Sequence, residues 1–124
     1  WQQGFRLGWL DLVLLRYARE LVGPLDWLAV TCLDRLALLP ELNVCRRYRC
    51  DGGALDRLAP SPIPHNLAYQ EGLTHLLARC QPVLEPVESP AMLLNLLATE
   101  LGVPVGLTSH GPSAEHKCMA AQRV

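Results

Sequence analysis

The sequence predicts an α/β fold, and three observations predict it. Helix-periodic apolar segments alternate with short apolar runs. Each run breaks into a polar or Gly-Pro loop, as strands of a buried sheet do at their carboxyl ends. Helix-strand-loop units follow one another in succession, which implies a mostly parallel sheet with flanking helices and ligand-binding loops at the strands' carboxyl ends.

The first element is a helix over 8–22, GWLDLVLLRYARELV. Leu10, Val13, Leu14, Tyr17 and Leu21 fall on one face, Arg16, Arg19 and Glu20 lie elsewhere, and Gly23-Pro24 closes the segment. A short buried strand follows at 25–31, LDWLAVT, ending at the polar break Asp34-Arg35. LNVCRRYRC, 42–50, reads as a strand with one polar face that stops at Asp51-Gly52-Gly53. Alternation sets Arg46 against Arg47 and Arg49, which favours solvated or salt-bridged arginines over a single anion patch.

Residues 54–88 carry the weakest pattern. APSPIPHN holds three prolines within five residues and predicts an extended loop. A helical turn is expected around 68–79 and an extended piece at QPVLEPV. The next helix is well marked: Ser89 as N-cap, Pro90 at the first helical position, a stripe of Met92, Leu93, Leu96 and Leu97, and Gly102 just past the end. VPVGLTSHG, 103–111, then reads as a strand entering a Gly-Pro loop. Trp9 and Trp27 are expected in the core or an interface.

With 124 residues the chain makes one small domain or part of one, and its opening on Trp1 without a methionine raises the prospect of a piece of a larger protein. Half of the residues are hydrophobic and the formal charge is −1, which argues against disorder and against a nucleic-acid partner. No apolar run reaches the roughly 18 residues that span a bilayer, and no signal-peptide pattern opens the chain, so the expectation is a cytosolic protein without membrane contact. The five cysteines, Cys32, Cys45, Cys50, Cys80 and Cys118, form no C-x-x-C pair and are expected to be reduced thiols. Cys45 and Cys50, five apart in one strand, should point to opposite faces. The histidines, His65, His75, His110 and His116, are scattered; His75 with Cys80 lacks two further ligands, and no metal site is expected.

VTCLDRL, 30–36, is the most informative stretch. Several GTP-binding proteins end a strand with Thr-Lys-x-Asp or Asn-Lys-x-Asp, the carboxylate reading guanine. On its own, Thr31-Cys32-Leu33-Asp34 fits an exposed or helix-capping aspartate as well as a base reader.

The segment GWLDLVLLRYARELVGPLDWLAVTCLDRLALLPELNVCRRYRCDGG, together with PVLEPV and LLATELGVPVGLTSHGPSAEH, resembles the carboxyl-terminal third of the adenylosuccinate synthetase family. That family carries Arg-Arg-x-Gly-Trp-[Leu/Phe]-Asp, Thr-Lys-Leu-Asp-Val-Leu, Pro-Val-Tyr-Glu and Ser-Thr-Gly-Pro-Asp-Arg in the same order. The resemblance implies a P-loop-NTPase-like fold lacking its amino-terminal part, with residues 1–124 as the carboxyl-terminal part of the domain. It implies a GTP-dependent ligase that joins aspartate to IMP, acts with magnesium in AMP biosynthesis, and is commonly a homodimer. The family's phosphate-cradling loop, magnesium-binding residues and catalytic aspartate and histidine belong to the amino-terminal part, so no catalytic residue is expected here.

By resemblance, Cys32, Leu33, Asp34, Ser109, His110 and Gly111 form the guanine end of the GTP site, and Gln3, Phe5 and Arg6 fall in the substrate loop. Asp34 matches the base-reading aspartate. Cys32 replaces a lysine and supplies neither its reach nor its charge. His110 replaces threonine, and Ser113-Ala114 replace Asp-Arg. Gln3 and Phe5 replace two arginines, leaving Arg6 as the remaining charge. Three accounts follow: a portion of a synthetase, a paralogue without activity that binds nucleotide or serves as a structural partner, or a small interaction module.

Overall fold

The computed structural model describes Gly4 and residues 7–120. Its strands are β1 (Leu10–Asp11), β2 (Leu28–Val30), β3 (Asn43–Cys50), β4 (Gly53–Leu55), β5 (Gln81–Pro86), β6 (Val105–Ser109) and β7 (Lys117–Met119). Its helices are α1 (Leu12–Val22), α2 (Leu67–Ala78) and α3 (Pro90–Leu101), with 3₁₀ turns at Leu33–Leu38 and Ala114–His116. The α/β class is as expected, but the described strands form two small mixed sheets and not one mostly parallel sheet: each holds one parallel pair, and the other three pairings are antiparallel.

In the first sheet β3 is central. β5 runs antiparallel along one of its edges, with pairs such as Val44↔Glu85 and Arg49↔Gln81. Parallel β1 (Leu10↔Val44) and antiparallel β4 (Tyr48↔Leu55) share the other edge. In the second sheet, β6 lies between parallel β2 (Val30↔Thr108) and antiparallel β7 (Ser109↔Lys117).

α1 begins later than the periodicity suggests, because Asp11 stops the helix there. Its Oδ1 accepts the Leu14 N–H at 3.0 Å, satisfying an otherwise unpaired amide of the first turn. Leu12 and Val13, both fully buried, enter two different core clusters, whereas Leu14 and Leu21, expected on the inner face, are exposed. Leu12 packs with Val44, Leu93 and Leu97, the cluster that joins α1 and α3 to both sheets. Val13 packs with Cys45, Tyr48 and Leu58, and Leu73, Leu76 and Leu77 of α2 close over them.

A bulge in β3 between Cys45 and Arg47 corrects the expected alternation. An extra residue shifts the period of two, so Val44 and Cys45 are both buried and Cys45 and Cys50 contribute to the same cluster instead of opposite faces. The shift also brings Arg46 and Arg47 onto one acceptor: Glu85 lies 3.0 Å from Arg46 and 3.5 Å from Arg47. These arginines are salt-bridged, as expected, although not split between faces.

The expectation of five reduced cysteines is overturned. Cys50 and Cys80 form a disulfide. They extend the β3–β5 ladder by one pair beyond Arg49↔Gln81, which brings together two residues 30 apart in sequence and removes Cys80 as a metal ligand. Cys32, Cys45 and Cys118 are free.

α3 matches the sequence reading. Ser89 Oγ accepts the Met92 N–H at 3.2 Å, Pro90 opens the helix, and Gly102 ends it in the left-handed conformation (φ 62°) that glycine adopts without strain. Among the described residues, no helix is long and apolar enough to cross a membrane.

Candidate functional site at the ends of β2 and β6

Val30 and Thr108 are partners in a parallel ladder, so the chain leaves β2 and β6 in the same direction and at the same edge. The bend 31–34 and the bend 109–111 therefore stand side by side. This edge lies at the carboxyl ends of parallel strands, where open α/β sheets bind ligands.

Cys32 turns the chain out of β2. Its backbone is left-handed (φ 63°), a conformation that costs a residue with a Cβ of the order of 1 kcal/mol. The Arg35 N–H donates to the Cys32 carbonyl at 3.1 Å and closes the first 3₁₀ turn. Leu33, 8% exposed, anchors that turn in the core, so its offer to a ligand is backbone rather than side chain. Asp34 follows on the outside. Its carboxylate makes no helix cap among the described residues; its partner there is Arg35, whose Nε lies 3.4 Å from Oδ2. The capping role is therefore not the one Asp34 plays.

The second bend is held from within. Ser109 is buried, and its Oγ donates to the Gly111 carbonyl at 3.1 Å; Lys117 Nζ donates to the same oxygen at 2.6 Å. Ser109 thus fixes the bend, while His110 projects to solvent. The His110 N–H donates to the His116 carbonyl at 2.9 Å, and the His116 ring lies against Gly111 so closely that a Cβ there would meet it at 2.6 Å. Glycine is required at 111 for that approach. Ser113 Oγ lies 2.7 Å from His116 Nδ1 and 2.8 Å from Glu115, which holds the imidazole in place. The sequence marked Ser109 and Gly111 but not Lys117 and His116; the antiparallel return of β7 brings them to the bend, and no local motif announces that pairing.

β6 carries a second close approach. A bulge between its pairings with Leu28 and Ala29 isolates Gly106, and the Trp27 side chain covers it. Trp27 is about half exposed, so it shields this edge more than it fills the core.

The exposed face of the two bends thus presents Cys32, Asp34, Arg35 and His110. A carboxylate whose two oxygens can each accept, next to an open surface, suits a planar ring with adjacent N–H donors, as guanine has. Gln3, Phe5 and Arg6 lie outside the described residues.

The family model "Adenylosuccinate synthetase" matches residues 2–118. The chain belongs to the adenylosuccinate synthetase family. The adenylosuccinate synthetase of Desulforudis audaxviator is 39% identical over 89% of this chain and 26% of its own length, and that of Picosynechococcus is 34% identical over 89% and 26%. A structure of fully ligated adenylosuccinate synthetase from Plasmodium falciparum superposes with a TM-score of 0.68 at 19% identity, covering 91% of this chain and 28% of that one. That likeness concerns the fold. The chain spans about a quarter of the length of the synthetases it matches, so it corresponds to a portion of them.

Proposed function

We propose that this chain is the carboxyl-terminal portion of a GTP-dependent ligase that joins IMP and aspartate, and that it supplies the guanine end of the GTP site. The observation that carries the reading is the Val30↔Thr108 ladder, which sets Cys32–Asp34 and Ser109–Gly111 side by side at one sheet edge. Asp34 accepts the N1–H and 2-amino hydrogens of guanine through its two oxygens; adenine, with an acceptor at N1, is rejected. His110 and the rigid 109–111 bend border the base. Phosphate binding, magnesium and the chemical step belong to residues outside this chain, so the chain by itself has no turnover and weak nucleotide affinity. Membership of the adenylosuccinate synthetase family and an exposed carboxylate that keeps open acceptor positions beside Arg35 both support this reading over an interaction module.

Calorimetry with GTP, GDP and ATP tests it, on the chain and on a chimera carrying it in place of the matching part of the Desulforudis audaxviator synthetase. Guanine nucleotides are expected to bind more tightly than ATP. Asp34→Asn is expected to weaken GTP by roughly tenfold or more, given about 1–3 kcal/mol for a buried hydrogen bond lost. Tighter binding of ATP, or an unchanged GTP affinity in Asp34→Asn, overturns the assignment.

A further inference from the structure

The family motif Thr-Lys-Leu-Asp-Val-Leu and the chain's Thr31-Cys32-Leu33-Asp34-Arg35-Leu36 differ at two positions. A cation is lost at 32, and a cation is gained at 35. The structure relates the two positions in space. Arg35 N–H donates to the Cys32 carbonyl at 3.1 Å, one 3₁₀ turn later. That bond closes the turn on Cys32, the left-handed residue that precedes the 3₁₀ helix, and keeps the backbones of 32 and 35, both exposed residues, close together. Arg35 is directed to the candidate base reader, its Nε 3.4 Å from Asp34 Oδ2, while its side chain is 73% exposed and has room to move.

We infer that Arg35 is a nucleotide-binding residue that takes over the charge and the ring-covering role of the lysine missing at Cys32. The inference rests on the guanine assignment of Asp34. A lysine covers a base with its alkyl stem and leaves its ammonium at the ring edge. Arginine performs both tasks with one group, since the flat guanidinium stacks on an aromatic face and keeps its charge at all relevant pH. The contact with Asp34 is compatible with a bound base. Each carboxylate oxygen has two acceptor positions, so Oδ2 holds Arg35 and a guanine donor together while Oδ1 takes the other donor. Held from one side by Arg35, the carboxylate also keeps its orientation in the absence of nucleotide.

The opposite role is chemically available: a guanidinium on Asp34 could act as a plug that guanine must displace. The two roles predict opposite signs for one substitution, Arg35→Val, which restores the family's residue at that position. Calorimetry with GTP and ATP is performed on the chain and on the chimera, for wild type, Arg35→Val, Arg35→Lys, Asp34→Asn and the double variant Cys32→Lys/Arg35→Val. Arg35→Val is expected to weaken GTP about tenfold, in the range of a desolvated cation–ring contact, and to reduce the salt dependence of binding. Arg35→Lys recovers part of the loss, and Cys32→Lys in the Arg35→Val background recovers most of it. Unchanged or tighter GTP binding in Arg35→Val overturns the inference, as does a double variant no better than Arg35→Val. If Asp34→Asn is silent as well, the guanine reading itself has failed; if Asp34→Asn weakens GTP and Arg35→Val does not, only the role of Arg35 has.

Discussion

The Tyr48 hydroxyl donates to Oδ2 of Asp11, the carboxylate whose other oxygen caps α1. One side chain thus ties the start of a helix to the middle of β3, where Tyr48 shares a core cluster with the fully buried Val13. Asp11→Ala removes the cap and leaves a buried phenol without its acceptor. A loss of about 2–3 kcal/mol is expected from the two together, read as a lower urea midpoint.

The same contact sets an alkaline limit. Burial and then the bond to Asp11 push the Tyr48 hydroxyl well above its ordinary value of 10.0. Burial, and next the charge of Asp11, raise the Cys45 thiol above 9.0. Both groups hold their protons more firmly in the folded state than in the unfolded chain. Their stabilisation is complete below the unfolded values and is lost as the pH climbs through 9 and then 10 towards the folded ones. Stability is therefore expected to fall between about pH 8 and about pH 11, and Tyr48→Phe to fall less steeply over the upper part of that interval. An equal slope in Tyr48→Phe refutes this origin.

Which parts of this molecule could be read in its sequence follows from how local the cause of each part is. Ser89, Pro90 and Gly102 act within one turn of their own positions, and α3 has the expected bounds. The pairing of the two candidate bends was legible through ordered motifs. Leu14 and Leu21 are exposed because α1 meets β3, α2 and α3 through Leu12 and Val13, a choice of face made by its neighbours and not by its own periodicity. The Cys50–Cys80 bond and the bulge at Cys45–Arg47 arise from the register of β3 against β5, strands separated by a proline loop and a helix. Register between distant strands leaves no mark in either one alone. Arg35 stands beside Asp34 in the sequence, but its contact with that carboxylate and the turn that brings its backbone to Cys32 are visible only in the fold.

The disulfide stabilises by closing a loop between residues 30 apart. On the chain-entropy model this amounts to about 3–4 kcal/mol. Cys50→Ser/Cys80→Ser and treatment of the wild type with a dithiol reductant are expected to lower the urea midpoint by similar amounts, and the reductant to leave the double variant unchanged. Thiol titration of the denatured, unreduced chain should find three free cysteines, matching Cys32, Cys45 and Cys118.

Gly106 is expected to tolerate no larger residue without moving Trp27. A Cβ at 106 would stand 2.8 Å from Trp27 Cβ and Cγ. Overpacking of this kind costs about 1–3 kcal/mol; an outward swing of the half-exposed indole relieves the contact with the ring but not the one with Trp27 Cβ, so the backbone at Trp27 must shift as well. The check is tryptophan fluorescence: a red shift with a modest loss of stability is expected, and an unchanged spectrum would contradict the contact.

Glu100 joins three elements through charge. It accepts Arg16 Nη2 and Arg46 Nη1, each at 2.7 Å, and Arg46 also lies 3.0 Å from Glu85. α3 is thereby held against α1 and β3. Glu100→Gln keeps the shape and one acceptor but takes the carboxylate away from Arg16 and leaves Arg46 with Glu85 alone, the two guanidinium groups now facing each other across a neutral amide. Charge-assisted bonds are worth about 1.5–3 kcal/mol, and partial exposure of Arg46 reduces that, so a loss of about 1–2 kcal/mol is expected. Two origins are separable by salt. If charge is the cause, the gap between wild type and Glu100→Gln narrows at high ionic strength, and Arg16→Met in the Glu100→Gln background costs less than in the wild type. A gap independent of salt with additive variants would instead assign Glu100 to packing alone.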